Sequence, residues 1–248
     1  MEAPHAAVQD RRSLVRGRRG LSACSTFRFP PSEDLRKNYQ KVNRYKDELM
    51  SAGGFTELPV LAKSSMTLAA EIIQAEGLNR VLDIGANDRR FRDLIPEGCA
   101  YYSLDQDETF RHDFRSLADV ERDSHFDLMA MFAVVEHVPQ QVFFDEFIPF
   151  FVRHLTPHGY VVVSSNNVFH NLGIRTDYSH VQTYSPRDLH AIMRNFGFYT
   201  RGVYRICLMK RWYRWAFDLL SRTVFKPYCL DYCPEICWVF QRASTNDR

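Results

Sequence analysis

The 248-residue chain has no apolar run approaching the ~18 residues of a membrane span, and its arginine-rich start is not followed by the apolar stretch of a secretory signal. A soluble, cytoplasmic protein is therefore expected. An excess of one charge is also missing: 32 basic against 30 acidic residues leave a formal net charge of +2, too little for a field that would draw nucleic acid. Internal repeats and low-complexity tracts are absent beyond the N-terminal stretch. The six cysteines, Cys24, Cys99, Cys207, Cys229, Cys233 and Cys237, form no Cys-x-x-Cys pair and follow no secretory signal, which excludes a disulfide framework. Cys229, Cys233 and Cys237 repeat every four residues, a spacing unlike that of zinc knuckles, and Pro234 would break any helix aligning them. Buried, reduced thiols are expected there.

The remaining composition suits one large α/β domain: 45% hydrophobic, 25% charged and 14% aromatic, with 19 Phe and 12 Tyr to fill a core and line a pocket. Residues 1–31 carry Arg11, Arg12, Arg16, Arg18 and Arg19 without apolar periodicity and read as a disordered basic tail, a transit segment or an early start. Residues 32–77 read as two helices, the first capped by Ser32 and ended at Gly53 and Gly54, the second from about Leu58 to Ala75. They would serve as a docking face or a lid over the acceptor. From 78 to 248, strands alternate with helices. Strands are expected near Arg80 to Ile84, Ala100 to Leu104, Asp113, Phe126 to Phe132, Tyr160 to Ser164, Gly202 to Cys207 and Ile236 to Gln241. Helices are expected at about Asp88 to Leu94, Gln140 to Leu155 and Pro186 to Phe196. That alternation predicts a doubly wound, mainly parallel seven-stranded sheet.

The most informative stretch is Arg80 to Phe91, where an apolar strand runs into Asp83, a glycine turn at Gly85, and a polar helix start. Gly85 lets backbone approach a ligand, and Asn87 tolerates a left-handed conformation. Asp105 follows Asp83 by twenty-two residues, the strand-to-strand distance of a βαβ unit and the place where ribose hydroxyls need an acceptor. Gly-x-Gly-x-x-Gly is not met, and Arg89 and Arg90 crowd the position where a pyrophosphate would sit. That opposes a nicotinamide-dependent oxidoreductase.

On these residues the chain resembles the class I S-adenosylmethionine-dependent methyltransferases, particularly members acting in quinone biosynthesis and sugar modification. The resemblance spans about Arg80 to Gln241 and implies a Rossmann-like methyltransferase fold with S-adenosyl-L-methionine as cofactor. Asp83 and Gly85 match the first motif, acid-x-Gly-x-Gly-x-Gly, while Asn87 and Arg89 stand where glycines are usual. Asp105 would hold the ribose and Asp113 the adenine side, with Phe114 beside the base. Phe132 ends the fourth strand before Val135-Glu136-His137-Val138, which resembles the family's Leu-Glu-His-Val segment.

Methyl transfer to a hydroxyl needs a base, and His137 and His180 follow strands four and five at the sheet edge where ligands bind. His170, Tyr178 and Tyr184 would line the acceptor pocket. Some relatives bind a divalent ion through Glu-x-x-Glu-His, but here the first position is Ala133, so no metal is expected at Glu136 and His137. Residues 208–234 mix cationic and aromatic side chains at helical spacing; packing on the sheet is the first expectation, a peripheral membrane contact or a homodimer the others. The sequence thus predicts a methyltransferase for a hydroxyl, less so an amine or carboxylate, of a small metabolite or a glycan or lipid-linked precursor. Its rival is a catalytically silent subunit, motivated by Asn87 and Arg89.

Overall fold

A computed structural model describes residues 39–49, 57–170 and 177–243. The basic tail of residues 1–31, Ser32, Gly53 and Gly54 lie outside the described residues. Among the described residues seven strands form one sheet: β1 (Val60–Leu61), β2 (Arg80–Ile84), β3 (Ala100–Leu104), β4 (Phe126–Phe132), β5 (Leu155–Asn166), β6 (Phe198–Ile206) and β7 (Glu235–Arg242). Their order is β1-β6-β7-β5-β4-β2-β3; only the pairings made by β7 are antiparallel. The doubly wound, mainly parallel sheet is thus present. β4 is buried on both faces, as its run Phe-Asp-Leu-Met-Ala-Met-Phe requires.

Among the described residues five helices flank the strands: α1 (Tyr39–Leu49), α2 (Ser65–Glu76), α3 (Gln140–Val142, continuing through a π-helical Phe143–Phe147 into Ile148–His154), α4 (Pro186–Asn195) and α5 (Arg211–Thr223). On one sheet face Leu82, Met129, Val161 and Trp238 pack against α3 and α4, and the Trp238 indole donates to the Pro186 carbonyl at 3.0 Å. On the other, Val81, Ala130 and Val162 meet Leu68, Ala69 and Ile73 of α2. The described part of α1 docks on α4 through Lys46–Asp188 at 2.6 Å, Arg187–Asp47 at 2.6 Å and Arg194–Glu48 at 3.4 Å.

Three expectations are corrected. The second helix starts at Ser65 rather than Leu58, because the Ser64 hydroxyl caps it by accepting from the Thr67 amide at 3.1 Å; Val60 and Leu61 instead form the edge strand against Arg205 and Ile206. No strand forms at Asp113. Its carboxylate accepts the Ser103 amide at 2.8 Å, a donor that a further strand's carbonyl would have used, and one bridge from Leu104 to Phe114 remains. The helix expected at Asp88 to Leu94 shrinks to a 3-10 turn, Arg90–Leu94, since Asn87 and Arg89 are both left-handed and Pro96 restricts Ile95. Among the thiols, Cys233 and Cys237 are buried as expected but Cys229 is exposed. The Cys233 thiol lies beside that of Cys207, a pairing across the β6–β7 edge that the four-residue spacing did not suggest.

Candidate active site

The β2 strand delivers Asp83 into the interior, 3% exposed, with one carboxylate oxygen accepting from the Tyr101 hydroxyl at 2.7 Å. Burial pushes its pKa up to about 7; the Tyr101 bond works against that shift, and the neighbouring Asp105 charge adds to it. The chain then turns through Gly85 (φ 75°), Asn87 (φ 43°) and Arg89 (φ 63°), every second residue left-handed. A Cβ on Gly85 would lie 2.2 Å from Val134 Cγ2, so glycine is required by space as well as by conformation. Arg89 is held by its Nη1 bond to the Arg111 carbonyl at 3.1 Å and by its guanidinium, 5.7 Å from the centre of the Tyr101 ring.

Asp105 stands at the tip of β3, beside Asp83 on the adjacent strand. Its two oxygens accept one backbone N–H each, from Asn87 at 2.8 Å and from Asp107 at 2.9 Å. Asp113 is turned back onto β3, taking the amide and hydroxyl of Ser103 at 2.8 Å each. Burial opposes its ionisation, but these bonds win and hold its pKa below the usual carboxylate value. Phe114 stacks on Tyr102 with ring centres 6.3 Å apart, and Phe132 packs edge-on against Phe91 at 4.9 Å.

Beyond β4, Ala133 is left-handed (φ 53°) and a short 3-10 turn, Val135–His137, follows. The Glu136 carbonyl accepts from the amides of Val181 at 2.9 Å and Gln182 at 3.1 Å, which brings the loop before α4 across the end of the sheet. His180 thereby meets His137, ring centres 4.8 Å apart, and its Nε2 lies 3.3 Å from Asn166 Nδ2 and 3.8 Å from Asp177 Oδ2. His137 Nδ1 is 3.0 Å from the Ser179 hydroxyl and 3.3 Å from the Ser179 carbonyl. A carbonyl only accepts, so the proton belongs on Nδ1 and the free lone pair on Nε2.

Glu136 is the residue that sequence reasoning undervalued. It is 1% exposed, and neither carboxylate oxygen makes a well-formed hydrogen bond. Burial raises its pKa, while the nearby Ser165 hydroxyl and the two imidazoles favour the charged form. One ligand atom from each of Glu136, His137 and His180 falls within 4.8 Å of the others, so these three could hold a cation. The expectation of no metal rested on Ala133 and did not reckon with His180 arriving from a distant loop.

The expected acceptor-pocket residues do not gather. Tyr178 is fully exposed, pointing away from any enclosed space. Tyr184 is 2% exposed and packs on Phe143 in the core, 5.8 Å between ring centres. His170 is half-buried, with Nδ1 unpartnered. Asp177, Ser179 and Asn166, which position the histidine pair, were not singled out; the Asp-x-Ser-His order carried that signal for the first two.

A model of the methyltransferase domain family matches residues 37–201, well over half of the chain. The chain belongs to this methyltransferase family. None of the curated proteins matches it by sequence. Among solved structures, the methyltransferase resembles an S-adenosylmethionine-dependent methyltransferase from Archaeoglobus fulgidus at 16% identity and TM-score 0.55, over 71% of this chain and 94% of that one. It also resembles the 1,6-didemethyltoxoflavin-N1-methyltransferase of Burkholderia thailandensis, at 16% identity and TM-score 0.51, over 89% and 94% of the two chains. An S-adenosylmethionine-dependent methyltransferase from Clostridium acetobutylicum gives 9% identity and TM-score 0.50, over 84% and 100%. The methyltransferase therefore has the fold of S-adenosylmethionine-dependent methyltransferases.

Proposed function

We propose that the protein transfers the methyl group of S-adenosylmethionine to a hydroxyl of a small metabolite or of a glycan or lipid-linked precursor. The observation that carries this reading is the placement of Asp83 and Asp105 on adjacent strand tips, on the same sheet edge as the His137–His180 pair. The residues fit the donor. Each Asp105 oxygen has accepted one N–H and keeps a lone pair for one of two neighbouring ribose hydroxyls. The bare Cα of Gly85 leaves the strand end open, and Asp83 would ionise beside a cationic ligand.

The bound donor supplies a methyl carbon activated by its sulfonium. The protein's part is to align acceptor and methyl and to keep water out. Asp105 fixes the ribose; Asp83 offers negative charge to the cationic end. His137, with Nδ1 occupied by Ser179, presents Nε2 to accept the hydroxyl proton, and His180 completes the polar wall. An amine acceptor is the lesser alternative, because a neutral amine attacks through its own lone pair and depends less on a base than a hydroxyl does, although its nitrogen too sheds a proton on methylation.

Calorimetry with S-adenosylhomocysteine tests the donor site. Asp105→Ala should lower affinity at least about tenfold with the melting temperature little changed, and unaltered affinity would remove Asp105 from the site. A panel of hydroxylated acceptors assayed with His137→Ala tests the base; full turnover would reject that role.

A second reading places a divalent cation among Glu136, His137 and His180, favoured by the buried carboxylate without a good partner. Titration with Co2+ should give ligand-field bands that disappear in Glu136→Gln. No bands at saturating Co2+ would exclude it.

A further inference from the structure

Helix α5 is turned inside out. Three of its polar residues face the protein: Asp218 reaches Arg205 at 3.2 Å, Ser221 is fully buried and Arg214 is half-buried. Of its large apolar residues, Phe217 packs on Tyr232 but the others face away. Trp212 is 65% exposed, Trp215 72% and Leu219 51%, an i, i+3, i+7 stripe, and Leu208 at 70%, Val224 at 52% and Tyr228 at 73% extend it beyond both ends. An ordinary surface helix hides that stripe; here the ion pair of buried Arg205 with Asp218, itself 29% exposed, holds the helix so that the stripe is presented.

We propose that this face docks on a bilayer surface carrying anionic headgroups. Between Leu208 and Tyr228 the chain has five cationic residues against one acid; Arg214 turns toward the protein, whereas Lys210 and Arg222 are exposed. That acid, Asp218, is already shared by Arg205 and Arg222. Tryptophan and tyrosine among lysines and arginines suit the headgroup boundary, where the rings enter the acyl region and the cations meet phosphate. No helix among the described residues is long and apolar enough to cross a membrane, so the contact is peripheral.

A second copy of the chain fits the face poorly. A twofold dimer would set the same cationic patch against itself. The face is also small: even from Leu208 to Tyr228 it spans roughly 30 Å at a width of ~10 Å, about 300 Å² against the roughly 800 Å² per partner of a stable interface. The docked face lies near the site already described. The segment joins Ile206 of β6 to Glu235 of β7, in register with Asn166 of β5, whose side chain contacts His180. An acceptor anchored in the bilayer would meet the sheet edge that carries the histidine pair, but docking itself does not depend on methyl transfer.

The test is co-sedimentation of the full chain with vesicles of phosphatidylcholine alone or with about one-third phosphatidylglycerol. Binding should require the anionic lipid, weaken several-fold when salt rises, and fall at least about tenfold in Trp212→Ala/Trp215→Ala. Lys210→Glu should weaken it as well. These side chains point away from the core, so thermal melts of the variants should match the wild type. Equal binding to neutral vesicles, or none to either kind, would overturn the proposal. So would concentration-dependent dimerisation in sedimentation velocity that the double tryptophan variant abolishes.

Discussion

Asp83 makes the sharpest quantitative demand on the structure. Its carboxyl is 3% exposed, and burial pushes the pKa from 3.8 to about 7. Below 3.8 the folded and unfolded chains both hold the proton, and the group has no effect on the balance. Between the two values the unfolded chain releases its proton while the folded chain retains it, so stability falls as pH rises and levels off above about 7. The gap between 3.8 and about 7, at ~1.4 kcal/mol per tenfold in proton affinity, comes to about 4 kcal/mol. Asp83→Asn removes this term yet keeps an oxygen to accept from Tyr101. Urea unfolding at several pH values should show the variant gaining on the wild type from pH ~4 to ~7, by up to about 4 kcal/mol, with no further gain above. On the proposed role of Asp83 at the cationic end of the donor, the same variant should bind S-adenosylmethionine more weakly. A difference between variant and wild type that does not change with pH would refute the burial argument.

Two other substitutions probe the supports of the site. Gly85→Ala combines a left-handed backbone with a Cβ 2.2 Å from Val134 Cγ2 and should cost about 3 kcal/mol in urea unfolding, of which adding Val134→Ala restores only the steric part. Arg205→Met leaves Asp231, 0% exposed, without the guanidinium 3.0 Å away and Asp218 without its inner partner; about 3 kcal/mol should be lost, and protease cutting in α5 should increase.

How much of this was legible depended on whether a feature is local. The bounds of β4 could be read because its run is apolar on both faces apart from Asp127 near its start. β5 was expected only at Tyr160 to Ser164, since Pro157 and Gly159 look like a break; the strand runs on through them from Leu155, with a register shift against β4 between Phe126 and Leu128. β1 has two residues, too few for any period. The meeting of His137 with His180 rests on two amides reaching the Glu136 carbonyl from more than forty positions away in the chain, and neither local pattern announces it. Helix α5 was recognised as cationic and amphipathic, but which side it turns outward is decided by Arg205 on β6 and Asp231 before β7.

Asn87 and Arg89 show what a glycine motif encodes. By residue type the first motif is broken at both positions, and the rival reading of a silent subunit rested on that break. By backbone conformation all three positions adopt the left-handed region that glycine favours: φ is positive at 85, 87 and 89, and the Asn87 amide donates to Asp105. Asparagine reaches the left-handed region through its short polar side chain; for arginine the conformation costs ~1–2 kcal/mol. The Arg89 bond to the Arg111 carbonyl and its contact with the Tyr101 ring are of the size to offset that cost. A loop of this kind constrains dihedral angles and amide directions, and glycine is only the cheapest way to satisfy them. Gly85 is different in kind, since there the missing side chain itself makes room for Val134.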